Sequence, residues 1–237
     1  MKRCVLAVAA LLLFSVPVLA QDAKENPAVG EKVLRHAVFF SFKDSATEAD
    51  IQGVVDAFAA LPESIPAIIG FESGINNSPE GLDDGFTHCF LVTFADLQGL
   101  QSYLPHPGHL GLVQSATPFT ANLFVMDYFG KQDVADKRQL RHAVFFKFKE
   151  DASEAQIAEV EAAFAALPAK IDAIKGFEAG KNLQPGRYDH GFTHCYLLTF
   201  DSEQGRDEYL PHPDHKAFGA SLRPILDKVR VLDFWTE

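Results

Sequence analysis

The stretch LRHAVFFSFK at residues 34–43 returns almost unchanged as LRHAVFFKFK at 140–149. Aromatic and β-branched residues crowd both copies, the composition of a strand with two buried faces. His36 and His142 lie 106 residues apart. The same offset relates AFAALP at 57–62 to 163–168, GFTHC at 85–89 to 191–195, and YLPHPGH at 103–109 to YLPHPDH at 209–215. No gap is needed between Leu34–Phe129 and Leu140–Trp235. Two copies are too few for a solenoid, which needs about three repeats to bury a continuous core. The chain therefore divides into two domains, 34–129 and 140–235, joined by the polar linker 130–139, GKQDVADKRQ. Residues 21–33 read as a disordered lead-in.

Within each unit the periodicity changes in a fixed order. HAVFFSF predicts a first strand. TEADIQGVVDAFAAL at 47–61 predicts a helix with Thr47 as N-cap and Asp50 three residues on, stopped by Pro62. IPAIIGFESG and FTHCFLVTF predict two further strands. A helical stretch from Asp96 to Tyr103 follows, then a second helix from Pro107, and LFVMDYF closes the unit as a fourth strand. The order βαββαβ is a ferredoxin-like α+β unit. Alternation places His36, Val38, Phe40 and Phe42 on one side of the first strand and Ala37, Phe39 and Ser41 on the other. Both faces carry apolar groups. Helices cover one, with the histidines beneath them, and the duplication supplies a second sheet for the other. The expected architecture is two units packed sheet to sheet as an intrachain pseudo-dimeric α/β barrel, a pairing that leaves the chain able to act as a monomer.

Before the repeats, Lys2 and Arg3 precede an apolar run to Leu19 and small residues at Val18 and Ala20. This pattern predicts a secretory signal peptide cleaved after Ala20, hence a secreted or periplasmic protein with no membrane anchor after cleavage. The net charge of −11 argues against nucleic acid or anionic lipid as partner. Cys89 and Cys195 fall on equivalent barrel-interior positions and read as free buried thiols, and two such residues are too few for a disulfide scaffold.

Eight of the nine histidines form four matched pairs: His36/His142, His88/His194, His106/His212 and His109/His215. Only His190 stands alone, opposite Asp84. In the YLPHPGH turn, Pro107 suits the first position of a helix, where its missing N–H costs nothing. His106 then becomes the N-cap and His109 sits in the first turn. A helix N-terminus disfavours positive charge there by about 0.3–1 kcal/mol, and burial acts in the same direction. His109 is thus expected to be neutral near pH 7, the form a general base requires. Tyr103, one turn earlier, offers a hydroxyl to a carbonyl oxygen. A plainer account makes His106 a cap, His109 a partner of a backbone carbonyl, and His36 and His88 satisfied core residues.

LRHAVFFxFK, GFTHC, YLPHPxH and the closing V-x-D-aromatic strand together resemble the stress-responsive A/B barrel domain, often called Dabb, over nearly all of both repeats. The resemblance implies ferredoxin-like units dimerising into a barrel. It also implies a pocket in each repeat for a small apolar or carbonyl ligand. In a cyclase-like member, the tyrosine and second histidine of the motif carry the acid–base chemistry of an aldol-type ring closure. By that likeness the catalytic candidates are Tyr103, His109, Tyr209 and His215. The pocket candidates are His36, His88, His142, His194, Phe58 and Phe164. Phe58 and Phe164 stand where the cyclase has a tyrosine, which makes the pocket less polar. No cofactor is implied. The competing readings are a barrel that binds without chemistry and a histidine-bound metal, the latter weakly signalled by a His-x-x-His turn across a proline.

Overall fold

The computed structural model describes residues 27–28, 30–131 and 138–236. The expected signal peptide, 1–20, lies outside the described residues, as do 21–26 of the lead-in and 132–137 of the linker. The first repeat runs β1 (Lys32–Phe42), α1 (Glu48–Ala59), α2 (Leu61–Ser64), β2 (Ile68–Ile75), β3 (His88–Phe94), α3 (Leu97–Tyr103), α4 (Pro107–Ala116) and β4 (Thr120–Lys131). The second runs β5 (Leu140–Phe148), α5 (Glu154–Ala165), a 3-10 turn at Leu167–Ala169, β6 (Gly176–Lys181), β7 (His194–Phe200), α6 (Glu203–Tyr209), α7 (Pro213–Leu222) and β8 (Leu226–Trp235). Each repeat forms one antiparallel sheet, ordered β2-β3-β1-β4 and β6-β7-β5-β8. The duplication is thus reproduced strand for strand.

Two boundaries differ from the sequence expectation. Val33 is wholly buried and pairs with Gly130, so β1 takes in the end of the lead-in and β4 the start of the linker. Pro62 does not simply stop a helix. Lacking only an N–H that a first turn leaves unbonded, it opens the short helix α2 after α1 ends at Ala59. The N-terminus of α1 follows the expectation: Thr47 and Asp50 bond each other's backbone N–H groups in a reciprocal capping box.

Alternation along the strands divides the core as expected. The helix-facing set of the first repeat includes Leu34, Val38, Phe40, Phe90 and Val92 against Val54, Phe58, Leu100 and Leu112. The opposite faces of both sheets form one shared core, with Ala37, Phe39, Leu91 and Met126 meeting Ala143, Phe145, Leu197 and Leu232. Phe39 and Phe145 are the same residue of the two repeats, and their rings meet edge to face at 5.3 Å across the pseudo-twofold axis. Cys89 and Cys195 lie in this layer as free thiols, and burial pushes both well above the usual thiol range.

Two mirrored ion pairs lock the sheets at their margins. Arg35 of β1 meets Glu178 of β6 at 2.8 Å, and Arg141 of β5 meets Glu72 of β2 at 2.6 Å. Each guanidinium is nearly inaccessible and also bonds a threonine of its own sheet, Thr93 or Thr199. The loops before β3 and β7 then cross between repeats. Tyr188 O accepts from Val125 N and Asp127 O from Leu183 N; in mirror image, Leu82 O accepts from Val231 N and Asp233 O from Asn77 N. Each repeat therefore lays its loop over the helix side of the other.

Candidate functional site

A cavity of about 570 Å3 opens in the first repeat beneath the α3–α4 turn. Its walls come from β1, β4, α1 and α4, and its rim is closed by residues 184–190 of the second repeat. The lining is mostly apolar, with Val38, Phe40, Phe58, Leu112 and Val125 around a polar floor. That volume and composition suit a small organic ligand.

The floor is built by register. His36 of β1 lies directly opposite Asp127 of β4, and its Nδ1 stands 2.6 Å from the carboxylate. A carboxylate can only accept, so Nδ1 carries the proton that joins His36 to Asp127. Tyr103 ends α3 with no exposed surface. Its ring packs edge-on to His36 at 5.6 Å and against His109 at 4.3 Å. The Tyr103 hydroxyl is buried and has no hydrogen-bond partner. Burial, aided by Asp127, drives its ionisation far above the usual phenol range, so this hydroxyl is a donor at any physiological pH.

His109 is set by the turn that carries it. Its Nδ1 lies 2.8 Å from Leu104 O, a group that only accepts, so the Nδ1 proton is fixed and Nε2 is left as the lone pair. Burial holds His109 below the ordinary histidine range; the Leu104 bond opposes this and nearby His36 adds to it. The plain expectation of a carbonyl bond and the catalytic one of a neutral base thus describe the same geometry. His106 is the N-cap of α4, accepting from Gly108 N at 3.1 Å through Nδ1, and capping accounts for it in full.

The second repeat repeats these parts with altered surroundings. His142 meets Asp233 at 2.7 Å, Tyr209 packs edge-on to His142 at 5.6 Å, and His215 lies 4.2 Å from the Tyr209 ring with Nδ1 on Leu210 O. Arg206, where the first repeat has Leu100, bonds the other oxygen of Asp233. Burial pulls His142 down, but Asp233 and Glu80 outweigh it and hold the imidazole above its ordinary value. Phe58 lines the cavity of the first repeat, and its counterpart Phe164 is covered instead. Phe218 stacks on it at 4.3 Å.

His88 and His194 require correction, for neither is brought to the floor with His36 and His109. They sit at the outer end of β3 and β7, two positions beyond the last residues that face the helices squarely. His88 bonds Thr87 Oγ1 and packs edge-on to Phe42, and does not line the cavity. His194 bonds Thr193 Oγ1, packs on Phe148, and stands 3.4 Å from the Glu161 carboxylate. Among the described residues, no three His, Cys, Asp or Glu side chains are grouped to hold a metal ion.

Sequence reasoning missed Asp127 and Asp233 as partners of the strand histidines. The V-x-D-aromatic strand carried the signal, since its aspartate falls on the helix-facing side in both repeats. It also missed the rim loop, because a polar loop of one repeat gives no local sign that it covers the other.

A tandem of ferredoxin-like units, closed sheet to sheet with a cavity under the helices, defines a dimeric α/β-barrel protein assembled within one chain. The chain belongs to the Stress Responsive A/B Barrel Domain family, whose model matches residues 34–129 and again 140–236. It is 33% identical over 98 residues to stress-response A/B barrel domain-containing protein HS1 of Arabidopsis thaliana, covering 41% of this chain and 90% of that protein. It is 30% identical over 95 residues to olivetolic acid cyclase of Cannabis sativa, covering 40% of this chain and 94% of the cyclase. The structure of an anthrone oxidase-like protein superposes with a TM-score of 0.63 at 13% identity, over 87% of this chain and 92% of that one, a likeness of fold.

Proposed function

We propose that this is an exported barrel protein whose first-repeat cavity binds a small, mostly apolar carbonyl compound, with the Tyr103 hydroxyl donating to the carbonyl oxygen. One observation carries the reading. Tyr103 is fully buried with an unpaired hydroxyl and, unlike the equally unpaired Tyr128 and Tyr196, it stands on the cavity wall, where a ligand supplies the missing partner. The apolar walls suit the remainder of the ligand. Export rests on the residues before Gln21, and N-terminal sequencing of the protein recovered outside the cytoplasm tests it, with Gln21 as the expected first residue. Isothermal titration with 4-phenyl-2-butanone tests the binding. Wild type is expected to saturate and Tyr103→Phe to bind at least tenfold more weakly. Equal affinities would sink the proposal.

A second reading adds chemistry at the same place. His109 is neutral with Nε2 as its acceptor, and Tyr103 keeps its proton, which supports removal of a proton α to the carbonyl by His109 while Tyr103 stabilises the enolate oxygen. Such a step belongs to lyase or cyclase chemistry, and one relative is a cyclase by name. Exchange of the ketone's α-protons in deuterium oxide, followed by NMR, is expected to be accelerated by wild type and not by His109→Gln. Exchange at the buffer rate with wild type would leave a binding protein without this chemistry.

A further inference from the structure

We infer that, of the two equivalent sites, the first repeat's is the ligand-competent one and the second repeat's is shut by its own Phe218, Leu222 and the loop residue Glu80. This rests on the ligand reading given above. The backbone does not distinguish the halves, since the loop crossings that roof the two sites are mirror images, Val125–Tyr188 against Val231–Leu82 and Asp127–Leu183 against Asp233–Asn77. The side chains do, and three substitutions add bulk to the second site. Leu112 and Ala116 line the open cavity, and their counterparts are Phe218 and Leu222, both larger and both buried. The Phe218 ring stacks on Phe164, while Phe58, the counterpart of Phe164, faces the open space.

The third difference lies in the roof. Gly186 covers the first site, and a Cβ built there would meet nothing nearer than Gln184 O at 3.8 Å. Its counterpart Glu80 carries a half-buried carboxyl whose Oε1 is out of contact with solvent and has no hydrogen-bond partner. From the roof, Glu80 is near enough to His142, Asp233, Arg206 and Tyr209 to interact with their charges. The carboxyl and the Phe218 ring together occupy the ground that a ligand takes in the first repeat. What the second repeat adds to recognition is the rim, where Tyr188 and His190 meet the ligand from outside its own domain.

Fluorescence titration with the neutral apolar dye N-phenyl-1-naphthylamine, with stoichiometry checked by equilibrium dialysis, tests this on the mature chain. Wild type is expected to bind one dye per chain. Gly186→Glu, which imposes the second site's roof on the first, is expected to abolish it. The triple variant Glu80→Gly/Phe218→Leu/Leu222→Ala is expected to bind two. Circular dichroism and melting establish folding, and Glu80→Gly/Phe218→Leu serves if the triple variant does not fold. Two dyes on wild type overturn the asymmetry and leave the ligand reading intact. One dye on folded opened variants, or undiminished binding by Gly186→Glu, also overturns it. No saturable binding to wild type overturns the ligand reading and this inference with it.

Discussion

Glu178→Gln is the most direct assault on the joint between the repeats. In the native barrel, Arg35 donates from Nη2 to Glu178 Oε1 at 2.8 Å and from Nε to Oε2 at 3.3 Å, with side-chain exposures of only 3% and 8%. Burial opposes the charge on Arg35, yet Glu178 more than compensates and holds the guanidinium protonated. An amide of the same shape keeps one acceptor and removes the bonded countercharge, so a buried cation loses the anion that holds it. Breaking such a pair costs about 3–5 kcal/mol. Bonds that remain, among them those to Thr93 Oγ1 and the Lys131 carbonyl, place the expected loss at the lower end, about 3 kcal/mol. Because the partners lie on different repeats, the whole chain should lose stability in one transition. Urea unfolding of wild type, Glu178→Gln, Arg35→Met and the double variant measures both the loss and the coupling. A loss under about 1 kcal/mol, the range of exposed pairs, would refute the account of a buried lock.

Other consequences follow from single groups. Tyr103→Phe removes an unpaired buried hydroxyl, and the ligand-free protein should be no less stable and up to about 1 kcal/mol more so in urea, even as ketone binding falls. Gly180→Ala should destabilise by at least about 1 kcal/mol, since its Cβ would stand 2.7 Å from the Tyr128 side chain where the sheets meet; a melt unchanged from wild type would contradict that contact. NMR titration should find His142 protonated to a pH above its ordinary value and His109 and His215 only below theirs, with His194 pushed down to about 4 by burial and Lys181. For the depressed histidines the unfolded chain binds protons more readily. The stability they confer is present above the ordinary histidine pKa and lost as pH falls toward the folded values. His142 acts oppositely, with a contribution present at low pH and lost as pH rises through its folded value. Calorimetry from pH 7 to 4 should therefore show a falling melting temperature that His194→Gln blunts.

The architecture was legible because two periodicities agreed. A strand such as HAVFFSF, apolar on both faces, needs two covers, and the duplication offered the second. The turn was legible through proline: Pro107 fixes the start of α4, hence His106 as cap and His109 one turn in. What escaped were facts of register and of crossing. The His36–Asp127 pair depends on β1 and β4 being neighbours, which alternation alone does not state. His88 shares the face of His36 but lies too far along β3, a distance that face assignment ignores. The rim from 184–190 arises between repeats, where no local pattern in either copy announces it.

The cavity account is tested most directly by the carbonyl carbon of a bound ligand. With 4-phenyl-2-butanone labelled with carbon-13 at the carbonyl, a hydrogen bond from the Tyr103 hydroxyl should move the bound resonance downfield of its position in an apolar solvent. Tyr103→Phe should abolish that displacement in whatever ketone still binds. A bound resonance at the same position in wild type and Tyr103→Phe would contradict the claim that this buried hydroxyl exists to meet a ligand.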